Sequence, residues 1–113
     1  MITDKIFAQY KPVINETADL YVVPMGSTAM GTLWIAAHKG YDIIRVRLLA
    51  NSIMLLPPDP PIPDLASYIL YDTPLVGNVP IYLQQIYLNE GDVIRITSQT
   101  GDCSFTFTGE LYT

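Results

Sequence analysis

A two-residue rhythm of apolar and polar side chains, broken at short intervals by glycine and proline, constrains this chain more than any other feature. The clearest instance is residues 93–97, where Ile94 and Ile96 point one way and Val93, Arg95 and Thr97 the other. The rhythm resumes over residues 103–108, with Cys103, Phe105 and Phe107 set against Ser104, Thr106 and Thr108. Period two is the signature of a half-buried strand, because successive side chains of an extended backbone leave opposite faces. Glu90-Gly91-Asp92 precedes the first run, and Gln99-Thr100-Gly101-Asp102 separates the two. Both are turn chemistry, since Gly accepts positive φ and Asp bonds its own backbone. The two runs are predicted to form an antiparallel hairpin.

The same reading places further strands. Residues 17–23 set Leu20 and Val22 opposite Tyr21 and Val23 and close at Pro24. After the turn Met25-Gly26-Ser27, residues 28–37 put Trp34 opposite Leu33 and Ile35 and end at His38-Lys39-Gly40. In residues 42–49, Ile44, Val46 and Leu48 are predicted inward, with Ile43, Arg45 and Arg47 outward. Arg45 and Arg47 then lie on a solvated sheet face or pair with a neighbouring chain's carboxylates. Residues 52–56 would prolong this strand. Five of the nine prolines follow: Pro57, Pro58, Pro60, Pro61 and Pro63. Such a segment takes up polyproline geometry without ladder hydrogen bonds, so it is expected as a stiff surface loop outside the sheet.

Residues 67–72 and 81–88 have two apolar faces: Tyr68 and Leu70 oppose Ile69 and Tyr71, while Ile81 and Leu83 oppose Tyr82 and Ile86. A strand apolar on both faces is covered on both, so the second cover is a loop or another subunit, the subunit being the expected one. Residues 1–15 are the least patterned and are expected to be an N-terminal arm, as a short helix, an arm on a neighbour or a frayed end, ahead of a domain at 16–113. About seven or eight strands without a long helix give an all-β chain: a single antiparallel β-sandwich, jelly-roll-like.

At 113 residues there is length for one core. Half the residues are hydrophobic and only 15% are charged, against roughly 25% in ordinary soluble domains. Too few charges cover the surface, so apolar area is expected to close against other chains. A net charge of −5 with six scattered Lys and Arg argues against nucleic acid and against an anionic membrane surface. One cysteine cannot close an intrachain disulfide. The start of the chain lacks the apolar stretch of a signal peptide, so synthesis in a cytoplasm without secretion is expected.

No catalytic constellation emerges, and the chain is expected not to be an enzyme. His38 lies in a turn, and Cys103 alternates toward the core as an inert thiol. One His and one Cys cannot build a zinc site. Glu90, Asp92 and Asp102 occupy loops that would share one end of a sandwich, but they lack the spacing of a calcium loop and read as turn formers. No metal or cofactor is expected.

Several short stretches, in order, resemble a family. They are Ala8-Gln9-Tyr10-Lys11-Pro12, Leu20-Tyr21-Val22-Val23-Pro24, Tyr71-Asp72-Thr73-Pro74-Leu75, residues 88–96, and the closing Phe105-Thr106-Phe107-Thr108-Gly109. This succession is similar to small structural proteins of tailed bacteriophages. The resemblance spans nearly the whole chain, and departs from the family at the proline loop and over residues 79–85. It implies a non-enzymatic virion component: a capsid decoration or cement protein, with a tail, neck or baseplate protein as the alternative. It also implies a homo-oligomer, a trimer by preference, contacting the major capsid protein or tail proteins. A carbohydrate-binding or adhesion module is the reading from another class. The expected contacts are Tyr68, Tyr71 and Tyr82, the five loop prolines, and Arg45 with Arg47. Tyrosine combines contact area with few rotatable bonds, and a stiff proline loop loses little entropy on docking.

Overall fold

Eight antiparallel strands in two four-stranded sheets make up the computed structural model, which describes residues 2–38, 40–50, 68–77 and 79–113. The strands are β1 (Ile2–Tyr10), β2 (Glu16–Val22), β3 (Thr28–Ala37), β4 (Tyr41–Leu49), β5 (Tyr68–Val76), β6 (Ile81–Leu88), β7 (Val93–Ser98) and β8 (Cys103–Tyr112). One sheet has the order β1-β8-β3-β6 and the other β2-β7-β4-β5. First therefore pairs with last, second with seventh, third with sixth and fourth with fifth. That nesting is the jelly roll, two Greek keys wound into facing sheets.

The core lies between the sheets. Leu33, Ile35, Phe105 and Phe107 from the first sheet meet Ile44, Val46, Leu75, Ile94 and Ile96 from the second, and all nine are fully buried. At one edge Phe7 stacks on Phe107 at 4.8 Å and touches Tyr21 at 4.9 Å between ring centroids. Phe7 and Leu20 each stand where a bulge shifts the register of their strand. The extra residue of a bulge re-aims a side chain, and both residues serve the core.

Three expectations are corrected. Residues 93–98 and 103–112 do not form a hairpin: β7 pairs with β2 and β4, and β8 with β1 and β3. Both runs alternate because both face one core, but alternation carries no information about which strand lies alongside. The loop between them crosses from one sheet to the other. It is pinned to β4 by Gln99 N donating to Ile43 O at 3.0 Å, and to the end of β3 by His38 N donating to Asp102 O at 2.9 Å.

The N-terminal arm is the second correction. Residues 2–10 are an edge strand hydrogen-bonded along β8, and the sandwich thus begins before residue 16. The bulge at Phe7 breaks the period there, and an edge strand exposing Ile2 and Ile6 on its outer side hides the contrast that marks a strand. Third, Arg47 is not solvated: it is 1% exposed, and its register partner Arg95 is 3% exposed. Parity assigned it to the right face; what lies over that face is not written in parity.

Candidate functional site

The first candidate surface is the outer face of the β1-β8-β3-β6 sheet. Because Leu33 and Ile35 fill the core, Met30, Thr32, Trp34 and Ala36 must point away from it. Trp34 is 44% exposed and sits in register with Tyr82 of β6, itself half exposed. Their rings meet edge to face, with centroids 4.6 Å apart and planes at 79°. On the other side the Trp34 indole Nε1 donates to Thr108 Oγ1 of β8 at 3.1 Å. The indole is thus held from two strands while much of it remains in solvent. Met30 and Tyr87, also register partners, continue the face, and Ile2 and Ile6 extend it onto β1; all four are exposed. Thr32 and Thr108 face each other across β3 and β8 between these groups. Charge is confined to one end, where Asp4 and Glu110 stand directly opposite and the Tyr112 hydroxyl donates to Glu110.

The second is a groove of about 330 Å³ across the outer face of the other sheet. It runs from Asn15, just before β2, over Thr97 and Gln99 to Ile43, Arg45 and Asp72, drawing residues from β7, β4 and β5. A bulge in β5 makes its far wall. Ile44 pairs with Thr73 and Val46 with Leu70, so Tyr71 and Asp72 together oppose the single residue Arg45. Asp72 adopts φ 46° there, a left-handed conformation that Asp tolerates better than most residues. Both side chains consequently converge on one guanidinium. Arg45 Nε donates to Asp72 Oδ1 at 2.6 Å, and its Cζ lies 4.3 Å from the Tyr71 ring centroid.

A third cluster is buried and closes the end of the sandwich. The Asp42 carboxylate accepts from Ser98 Oγ at 2.5 Å, Thr100 N at 2.9 Å and Gln99 N at 3.1 Å. Burial pushes the Asp42 carboxyl upward, but the hydrogen bonds from Ser98, Thr100 and the Cys103 thiol outweigh it and hold the group below its ordinary value. The Cys103 thiol, fully buried, is pushed up to about 12 by burial and by its bond to Asp42. A thiol in that setting is neutral at physiological pH and is not a nucleophile. His38 is exposed where β3 ends.

Of the expected contact residues, the structure puts Arg45 in the groove and packs Tyr71 against its guanidinium. It places Tyr82 on the other sheet, beside Trp34. Arg47 is buried in register with Arg95. Tyr68 begins β5 with its backbone opposite Arg47; its side chain, with Pro57, Pro58, Pro60, Pro61 and Pro63, lies outside the described residues. Glu90 and Asp92 do not share an end with Asp102, because β7 separates their loops. Each is occupied in a turn: Glu90 Oε2 accepts from Gly26 N at 2.6 Å, Asp92 Oδ2 from Asn89 N at 2.9 Å and Asp102 Oδ2 from Gly40 N at 3.2 Å. Among the described residues no group of three or more His, Cys, Asp or Glu is placed to hold a metal ion.

Sequence reasoning did not name Trp34, Tyr87, Ile2 or Ile6 as contacts. The signal for Trp34 was present in its parity against Leu33 and Ile35; that for Ile2 and Ile6 was masked by the bulge. Asp42 and Asp72 fall at the ends of the strands expected at residues 42–49 and 67–72, and nothing local distinguishes them.

No protein-family model, curated protein or solved structure matches the chain.

Proposed function

We propose that the chain is a non-enzymatic, self-associating β-module of a tailed-bacteriophage particle, with capsid decoration or cementing as its role. The observation that carries self-association is the outer face of the β1-β8-β3-β6 sheet, where Ile2, Ile6, Met30, Trp34, Tyr82 and Tyr87 are all exposed. Four strands about 4.8 Å apart, with rises of about 3.3 Å per residue, span roughly 600 Å² in plan over a ten-residue strand. Side-chain relief brings that near the ~800 Å² per partner of a stable interface. A second copy of the chain suits the face, because neutral Thr and aromatic groups complement themselves and a like-charged pair lies only at one end. The phage assignment rests on the ordered motifs described above.

Light scattering coupled to size exclusion tests self-association: a mass that is a multiple of 12.6 kDa is expected, and a monomer at micromolar concentration overturns it. Antibody labelling of particles tests the position. Label over the shell is expected; label on the tail replaces decoration with a tail or baseplate role, and unlabelled particles overturn the virion assignment.

A further inference from the structure

We infer that the groove lined by Asn15, Arg45, Asp72, Thr97 and Gln99 binds a neutral oligosaccharide, a role independent of the aromatic face on the opposite sheet. Its volume of about 330 Å³ falls at the lower end of the ~300–1,000 Å³ of small-ligand sites. Its lining is what a polyol requires. Asn15 and Gln99 carry amides that donate and accept, Thr97 carries a hydroxyl that shares one hydrogen bond with Thr17 at 3.0 Å, and Asp72 accepts from Arg45. Arg45 and Asp72 are only 2.6 Å apart, so their charges cancel locally and an anion gains little there. Their ion pair is partly exposed, at 32% and 52% of the side chains. Ile43 supplies an apolar patch in the same lining, to which the C–H side of a sugar ring can pack.

The direction of the groove favours a saccharide over a peptide. A peptide docks on a sheet by adding a strand at a free edge. This groove crosses the sheet face, where the backbone groups of β4 and β7 are already engaged in their ladders. Only side chains are on offer, and they are spread from Asn15, just before β2, across β7 and β4 to β5, about 14 Å, a length that suits a chain of a few sugar units. The Tyr71 ring against Arg45 and the Asp72 carboxylate on Nε fix the guanidinium from two sides, so little freedom is lost on binding.

Two-dimensional amide NMR of the intact protein, titrated separately with soluble oligomers of glucose, galactose and N-acetylglucosamine and with inorganic phosphate, tests the assignment. Shifts confined to Asn15, Thr97, Gln99 and their neighbours are expected with at least one saccharide and not with phosphate. Gln99→Ala is expected to weaken that saccharide about fivefold, the scale of one lost hydrogen bond, and Arg45→Met by more, whereas Trp34→Ala leaves it unchanged. Gln99 is exposed and holds the fold through its backbone, so that variant stays informative if Arg45→Met unfolds. Silence with every saccharide, a response to phosphate alone, shifts on the Trp34 face, or unaltered binding by Gln99→Ala each overturns the assignment. An extended peptide that shifts the groove residues where no sugar does replaces the saccharide with a protein partner.

Discussion

Asp42 concentrates more of the tertiary design than any apolar residue. It is fully buried, sits at the start of β4, and gathers the loop after β7 by accepting from Ser98, Gln99 and Thr100. Ser98 Oγ in turn accepts from Gly101 N at 2.8 Å. Removing the carboxylate strands the buried Ser98 hydroxyl and the part-buried Thr100 N together, which is more damaging than losing one exposed bond. Asp42→Ala is expected to destabilise the fold by about 3 kcal/mol, measured by urea denaturation. The pH dependence follows from the depressed carboxyl. Its folded-state value lies below the ordinary 3.8, so its contribution is complete above that unfolded value and disappears as pH falls through the folded one. Acid unfolding curves of the wild type and Asp42→Asn are therefore expected to converge at the acid end; parallel curves would assign the acid sensitivity to other groups. Cys103 shares this environment. With its thiol at about 12, it is expected to resist thiol reagents at neutral pH until the protein unfolds. Cys103→Ser is expected to cost only about 1 kcal/mol, near the low end for an added buried hydroxyl, since Asp42 is there to accept from it.

At the scale of strands, β3 and β8 pair over ten residues without a register shift, and the pairing depends on two glycines in register. Gly31 and Gly109 are Cα partners. A Cβ on Gly31 would run into the Thr108 carbonyl, and one on Gly109 into the Met30 carbonyl. Backbone, not a movable side chain, is the obstacle on both sides. Gly31→Ala and Gly109→Ala are each expected to destabilise by about 3 kcal/mol, the upper end of overpacking costs, in thermal melts. A loss under about 0.5 kcal/mol, the scale of a neutral surface change, would mean the strands part easily there. Strand extents were largely legible beforehand: residues 28–37 and 81–88 match β3 and β6 at both ends, and Cys103, Phe105 and Phe107 are buried as their alternation required. Partner choice was not legible, because strand pairing is decided across the whole chain while alternation is local. The candidate site was half visible. Tyr82 was singled out for its second apolar face, yet the convergence of Tyr71 and Asp72 on Arg45 needs a bulge that no residue pattern announced.

The molecule as a whole combines an uncompensated acid excess with one apolar sheet face, and the two make opposite demands on self-association. Each copy carries a net charge of −5, and Asp4 faces Glu110 at the end of the exposed face, so approaching copies repel. In the proposed self-association the attraction would come from burying Trp34, Tyr82, Tyr87 and their aliphatic neighbours, which salt does not screen. Raising ionic strength should consequently tighten association, the reverse of an assembly held by ion pairs. Trp34 is the chain's single tryptophan and reports on its own face. Its emission is expected to shift to the blue and to become less accessible to acrylamide as protein concentration rises, at lower concentrations in high salt than in low. The melting temperature is expected to climb with concentration in parallel, because a partner that binds only folded chains stabilises them by mass action. Trp34→Ala removes the largest apolar group on the face and is expected to weaken association by about 2 kcal/mol or more, as at an aromatic hot spot. If association instead loosens with salt while Trp34 emission stays fixed, the copies meet through charged groups elsewhere, and the aromatic face is not where they join.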